Sequence, residues 1–257
     1  MKKLGLLLCS MALTFFGLNA QTADEIISEY HEVTGGAENW KKIEGIKMEA
    51  KVNQGGMEIP ITVIQMADNR EMIIVSLQGQ EIVQSAYDGE SLWSTNFQTM
   101  KAEEVDEETL KNKKREDGDF PDALMDYKKK GYTAEYIGTE TIDGTETHKI
   151  KLTKKPQLVD GEEVPNVEYY FFDTDNSVLI AAESEIKSGP AKGSIATSTF
   201  SDYQEVDGLY FPFSISQGVK GQGSQPLQIS TITVNPDVSD RDFSFPEEEA
   251  EETVSEE

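Results

Sequence analysis

The sequence is poor in the residues on which most enzyme sites and covalent crosslinks depend. It has one cysteine, Cys9, and two histidines, His31 and His148. A single cysteine excludes an intramolecular disulfide and a zinc site built from several thiolates. The two histidines lack the His-x-x-x-His and Glu-x-x-His spacings that bind a metal from one helix. The sequence therefore predicts no metal site, no cofactor and no enzyme. A hydrolase with two carboxylates stays open, since sequence alone cannot bring a chosen acidic pair together.

Positive charge is also scarce. The chain has 23 Lys and Arg against 48 Asp and Glu, which gives a formal net charge of −25. This excess repels nucleic-acid phosphates and anionic lipid surfaces, so nucleic-acid binding is not expected. Residues 247–257 contain seven Glu and are predicted to form a solvated acidic tail.

Long hydrophobic runs are absent except at the N-terminus. Lys2 and Lys3 precede an apolar run from Leu4 to Leu18, the pattern of a secretory signal peptide, predicted over residues 1–20. The run is short for a membrane span, although a signal anchor is the alternative. Cys9 lacks the small residue that should precede a lipidated cysteine. The mature protein is therefore expected to be periplasmic, without cysteine and without a transmembrane segment.

A first helix and a long series of strands follow. Thr22 and Glu25 have capping-box spacing, and Gly35-Gly36 ends the predicted helix. From Ile46 the apolar period becomes two, as in half-buried antiparallel strands joined by turns such as Asp88-Gly89. Strands are predicted at 46–52, 57–63, 72–77, 82–87, 92–95, 132–137, 148–152, 167–172, 178–186, 194–203, 209–216 and 227–234. The sequence thus predicts a mainly β domain over residues 21–246.

The alternation is interrupted once, over residues 102–130. Here charged residues surround scattered apolar ones, which include Phe120, Leu124 and Tyr127. One or two helices are predicted in this insert, one of them beginning near Pro121.

The order of elements resembles the outer-membrane lipoprotein-sorting (LolA/LolB-like) superfamily. The matching stretches are 23–36, Tyr87-Asp88-Gly89 with Leu92-Trp93, and Phe200 to Pro212. The resemblance implies a strongly curved antiparallel sheet, an incomplete β-barrel, whose concave face is covered by the N-terminal helix and the insert. It also implies a hydrophobic cavity between sheet and insert that holds the acyl chains of lipoproteins or lipids. Because the mature chain lacks an anchoring cysteine, it is closer to the soluble carrier branch.

The residues of this expected cavity are apolar strand residues together with two residues of the insert. They are Met48, Ile59, Ile61, Val63, Ile74, Trp93, Leu124, Met125, Tyr169, Phe171, Ile180, Phe213 and Ile215. Arg70 is the candidate for an arginine that, in the family's carrier, holds the lid closed by hydrogen bonds. Ordinary core packing is the alternative for each apolar residue.

The expected function is a monomeric periplasmic carrier or sensor for acyl chains, with an envelope protein as a possible further partner. The alternative is a non-catalytic protein-interaction domain of the same fold. A concave face filled by the protein's own side chains would favour that alternative.

Overall fold

The structure is a computed structural model that describes residues 22–239 and 241–246. The predicted signal peptide and the predicted acidic tail lie outside the described residues. Within the described ranges, no helix is both long enough and apolar enough to cross a membrane.

The chain begins with the predicted capped helix, α1 (Ala23–Val33). The Thr22 hydroxyl accepts a hydrogen bond from the Glu25 N–H at 3.2 Å, and the Thr22 N–H donates to the Glu25 carboxylate at 2.7 Å. Both bonds of the capping box are therefore present, and the predicted helix start is confirmed. Gly35 follows at φ +120°, where a Cβ would lie 2.5 Å from the Gly208 carbonyl oxygen. The glycine thus allows the end of α1 to pack directly against the sheet.

Two further helices and fifteen strands make up most of the remaining described residues. The short helix is α2 (Ala37–Trp40), and a third helix, α3 (Glu107–Arg115), follows β6. The strands are β1 (Gly45–Gln54), β2 (Met57–Met66), β3 (Glu71–Leu77), β4 (Gln80–Tyr87), β5 (Leu92–Asn96), β6 (Lys101–Glu104), β7 (Thr133–Ile142), β8 (Thr145–Thr153), β9 (Gln157–Val159), β10 (Glu162–Val164), β11 (Val167–Asp173), β12 (Leu179–Glu185), β13 (Ile195–Val206), β14 (Leu209–Val219) and β15 (Ser224–Val234).

Thirteen of these strands form one curved antiparallel sheet, in the order β6-β5-β4-β3-β2-β1-β15-β14-β13-β12-β11-β8-β7. The sheet is not closed into a barrel, because β6 and β7 are its two edges. The predicted mainly β architecture is confirmed. Residues 105–132 join β6 to β7 and therefore lead from one edge of the sheet to the other. We call residues 105–132 the crossing segment.

The sheet has an inner face, which we define as the face that packs against α1, α2 and the crossing segment. One inner cluster joins Ile26 of α1 and Leu124 of the crossing segment to Ile150 and Phe172. A second joins Trp40 of α2 and Met125 to strand residues such as Ile46 and Phe213. The outer face has a cluster of its own, in which Val238 and Phe243 pack on Ile64 and Met72.

The crossing segment contains one helix, α3, and then a series of turns. The predicted helix near Pro121 is wrong. The Asp122 carboxylate does accept the N–H groups of Leu124 and Met125, each at 2.8 Å, as at a helix start. Asp126 then adopts φ +50°, a left-handed conformation that ends the turn before a helix can form.

Candidate ligand-binding site

A row of apolar side chains remains half-buried on the inner face, beside the regions packed by the helices. On β2, Ile61 pairs directly with Ala50, and Val63 with Met48, so these residues share the inner face. Ile59 lies on the same face and is half-buried, and Met57 at the hairpin tip is 68% exposed. We call this row the apolar strip. It consists of Met48, Val52, Met57, Ile59, Ile61, Val63, Ile73, Val75, Ile82, Ile215 and Leu227, of which only Val75 is buried, at 7% exposed.

The strip contains five of the predicted cavity residues, and three others are buried on the same inner face. Met48, Ile59, Ile61, Val63 and Ile215 belong to the strip. The buried three, each at most 8% exposed, are Leu124, Met125 and Phe213. Leu124 packs in the inner cluster around α1, and the other two pack around Trp40. Leu124 and Met125 also line a cavity of about 380 Å³ together with residues of α1 and α2.

Ile74 and Trp93 are a correction, because they lie on the outer face. Ile74 pairs with Thr62, the residue between Ile61 and Val63, so it points away from the strip. Trp93 belongs to the same outer cluster, and its indole N–H donates to the Phe243 carbonyl oxygen at 3.1 Å. The residues that follow β15, which we call the C-terminal segment, place Val238 and Phe243 in the same cluster, so Ile74 and Trp93 cannot line an inner-face cavity.

Tyr169 and Phe171 also lie on the outer face. Their neighbours Tyr170 and Phe172 pack in the inner cluster around α1, and alternate residues of a strand point to opposite faces. The Lys149 ammonium lies 4.8 Å from the centre of the Tyr169 ring and 5.1 Å from that of Phe171. A further predicted residue, Ile180, is half-buried where the register between β11 and β12 shifts.

Arg70 does not contact the crossing segment as predicted. Its guanidinium pairs with Asp68, with Nη2 2.9 Å from Oδ2, and lies 5.0 Å from the centre of the Phe243 ring. The hydrogen bonds from Arg70 lower the pKa of Asp68. The neighbouring Asn69 makes the contact instead, because its side-chain oxygen accepts the N–H of Gly118 at 2.8 Å.

A polar cavity of about 610 Å³ lies beneath the crossing segment. Its lining is Gln65, Met66, Asn69, Glu71, Lys113, Glu116, Asp117, Asp119, Phe120, Pro121, Asp122, Ala123, Lys154, Glu168 and Gln217. The sequence did not reveal this cavity, because its residues come from five separate stretches of the chain. None of the predicted cavity residues lines it.

The most buried charge in this cavity is Lys154, whose side chain is 6% exposed. Its ammonium lies 3.2 Å from Asp119, and 3.3 Å from both Glu116 and Glu168. Burial opposes this charge, but the three carboxylates together raise the pKa of Lys154 above its usual range. Glu116 and Asp119 belong to the crossing segment and Glu168 to β11. Lys154 therefore fastens the segment to one half of the sheet.

The crossing segment is also fastened to the other half of the sheet. The Lys113 ammonium lies 2.7 Å from the Glu71 carboxylate on β3. The Tyr87 hydroxyl at the end of β4 donates to the Asp117 carboxylate, at 3.1 and 3.2 Å from its two oxygens. Burial and the Asp117 charge raise the pKa of Tyr87. The segment thus bridges the two halves of an open sheet through polar contacts.

Each of the two histidines lies beside a polar side chain. His31 is only 6% exposed, and its Nε2 lies 3.6 Å from the Asp122 carboxylate, too far for a good hydrogen bond. The His148 Nδ1 lies 3.4 Å from the Tyr136 hydroxyl. In the described ranges, no three His, Cys, Asp or Glu side chains are arranged to hold a metal ion.

No protein-family model and no curated protein sequence matches the chain. Solved structures do match it. A LolA superfamily protein from Nitrosomonas europaea is 14% identical with a TM-score of 0.53, and the match covers 88% of this chain and 98% of that one. A DUF1329 family protein from Desulfovibrio piger is 13% identical with a TM-score of 0.53, and the match covers 86% of this chain and 96% of that one. A putative outer membrane lipoprotein-sorting protein domain from Vibrio parahaemolyticus is 11% identical with a TM-score of 0.49, and the match covers 85% of this chain and 94% of that one.

At these identities the similarity is one of fold. The matches extend over nearly the whole length of the solved chains, so they include both the sheet and the connection across it. The chain therefore has a LolA-like fold, as its order of elements predicted.

Proposed function

We propose that the protein is a periplasmic carrier that holds the acyl chains of a lipid or lipoprotein against the apolar strip. The observation that carries this proposal is the strip itself. Its side chains lie side by side on six neighbouring strands, and all except the buried Val75 are only partly covered by the protein. An exposed contiguous apolar surface on the inner face of a curved sheet is typical of a binding site.

The energy of such binding comes from removing methylene groups from water. Each buried methylene contributes about 0.8 kcal/mol. Ten methylenes would therefore supply about 8 kcal/mol before the entropic cost of association. The flexible thioethers of Met48 and Met57 allow the strip to adapt to chains of different shape.

The proposed site differs from the predicted cavity in its position. Leu124, Met125 and Phe213 pack in the two inner clusters, so the proposed ligand lies beside these residues. The free apolar surface lies instead towards the hairpin tips, where Met57 and Ile59 are accessible. The LolA-like fold supports a carrier of this type, and the predicted signal peptide supports the periplasm.

A protein-interaction domain is the second candidate. The inner face is largely filled by two clusters of the protein's own side chains. A partner protein could place apolar side chains on the strip in the same way as an acyl chain.

The test is to titrate the mature protein with monopalmitoylglycerol and with a diacylated lipopeptide, and to record native mass spectra. We expect stoichiometric binding that Ile59→Lys weakens at least about tenfold, because the charge must be buried with the ligand. Thr62→Lys is the matched control, since Thr62 lies on the outer face of the same strand and its replacement should leave binding unchanged. Circular dichroism checks that both variants fold. If neither ligand binds the wild-type protein, the carrier proposal fails and the interaction domain is favoured.

A further inference from the structure

The polar cavity adjoins the apolar strip on two sides. On β2, Val63 and Gln65 are neighbours on the inner face, because Ile64 between them points to the outer face. The two residues lie about 7 Å apart along the strand. On β14, Gln217 follows Ile215 in the same way. An acyl chain that lies on the strip therefore reaches the cavity with one of its ends. This placement rests on the proposed function and adds the position of the head group.

The cavity has a strong excess of negative charge. Its lining holds six carboxylates and two ammonium groups, a formal net charge of −4. The carboxylates are Glu71, Glu116, Asp117, Asp119, Asp122 and Glu168, and the ammonium groups are those of Lys113 and Lys154.

Both ammonium groups are already engaged by these carboxylates. Lys113 lies 2.7 Å from Glu71, and Lys154 lies among Glu116, Asp119 and Glu168. Binding of a phosphate to either lysine would have to break these ion pairs. The N–H of Gly118, the nearby backbone donor, is bound to Asn69. The other side-chain donors of the lining are the amides of Gln65, Asn69 and Gln217, which carry no charge to offset that of a phosphate.

Asp117 has no cation to balance it. Its carboxylate accepts a hydrogen bond from the Tyr87 hydroxyl, and no lysine, arginine or histidine of the described ranges lies within ion-pair distance of it. The charge is partly buried, where the field of an ion is screened less than in water. A ligand that brings a positive charge or several hydroxyl groups would satisfy this carboxylate. A ligand that brings a negative charge would be repelled.

We infer that the cargo is an amphiphile whose head group is cationic or rich in hydroxyl groups, and that phosphate head groups are rejected. The acyl chain lies on the apolar strip and the head group enters the polar cavity. The side-chain amides of Gln65 and Gln217 lie at the boundary between the two, where they can bind the polar part of a linkage. Charge complementarity of this kind decides specificity more than affinity.

The test uses three ligands with the same sixteen-carbon chain: hexadecylamine, monopalmitoylglycerol and hexadecyl phosphate. Dissociation constants are measured by isothermal titration with the mature protein, below the micelle concentration of each ligand and at low salt. We expect the amine and the glyceride to bind at least about tenfold more tightly than the phosphate, and we expect 0.5 M salt to reduce the difference between amine and phosphate.

Asp117→Asn should reduce the preference for the amine over the phosphate by about threefold or more. Asp175→Asn is the matched control, because it removes one carboxylate from an exposed turn at the opposite end of β11 from Glu168 and should leave the preference unchanged. If all three ligands bind equally, or the phosphate binds best, the head-group inference is overturned while the carrier proposal stands. An equal effect of the two variants would also overturn it, because the preference would then reflect overall charge. If no ligand binds, the carrier proposal itself fails.

Discussion

Lys154 shows how one buried charge can hold two parts of the molecule together. Its side chain is almost completely removed from solvent and lies among three carboxylates from two different elements. Taking these groups out of water is costly, and their mutual attraction offsets that cost only while all of them are present. Removal of the lysine alone would leave Glu116 and Glu168 without this cation, and would leave Asp119 with Lys130 alone, 3.0 Å away.

We therefore expect Lys154→Met to lower the free energy of unfolding by about 3–5 kcal/mol. Urea denaturation measures the loss. Lys155→Met is the control, because Lys155 is the next residue along the chain and is exposed, so its replacement should change stability by less than about 0.5 kcal/mol. A similar small effect for both variants would show that the Lys154 cluster does not hold the crossing segment.

The C-terminal segment is an element without regular secondary structure that nevertheless completes the outer face. After β15, Val238 and Phe243 pack on the outer side of β2, β3 and β5. The Phe243 carbonyl oxygen accepts the indole N–H of Trp93, and the ring of Phe245 lies 6.2 Å from that of Trp93. The outer face of these strands is therefore core, although it lies on the opposite side from the helices.

Phe243→Ala should destabilise the protein by about 3 kcal/mol, because a large buried side chain is removed and leaves a cavity. It should also expose Trp93 to water and shift its fluorescence to longer wavelength. Phe97→Ala, at an exposed position, is the control and should do neither. Unchanged emission in Phe243→Ala would mean that the C-terminal segment does not cover this part of the sheet.

At the scale of the whole molecule, an open sheet is bridged by a polar segment whose carboxylates face tyrosine hydroxyls. The Tyr132 hydroxyl donates to Asp119 at 3.0 Å, and the Tyr87 hydroxyl donates to Asp117. Burial, together with the adjacent carboxylate, raises the pKa of both tyrosines. The pKa of Tyr127 is raised by burial and by Asp24.

These shifts predict that stability is lost at high pH. The pKa of each tyrosine is higher in the folded than in the unfolded state, so the folded state holds more protons above the unfolded pKa of about 10. The contribution of these tyrosines to stability is therefore fully present below pH ~10 and is lost as the pH rises above it. The raised pKa of Lys154 acts in the same direction. We expect the melting temperature to fall steeply above pH ~10, and Tyr132→Phe to show a smaller fall. The exposed Tyr210 gives the control, since Tyr210→Phe should leave the pH profile unchanged.

Patterns that depend on near neighbours in the chain were predictable from the sequence. The capping box of α1, the double glycine after it and the alternation of β1 and β2 involve residues only a few positions apart, and each is present in the structure. The inner-face position of Ile59, Ile61 and Val63 follows from that alternation, because polar residues and a proline separate them. The order of elements sufficed to predict the fold.

The tertiary structure alone decided which face other apolar residues occupy. Met72 to Val75 and Tyr169 to Phe172 are continuous apolar runs, so alternation gives no information about their direction. Both faces of β3 carry apolar residues: the inner face belongs to the apolar strip, and the outer face is covered by Phe243, about 170 residues further along the chain. The polar cavity likewise depends on charges from distant segments that meet only when the crossing segment spans the sheet. Long-range contacts of this kind leave no local pattern, because burial on both faces removes the alternation by which a half-exposed strand reveals its orientation.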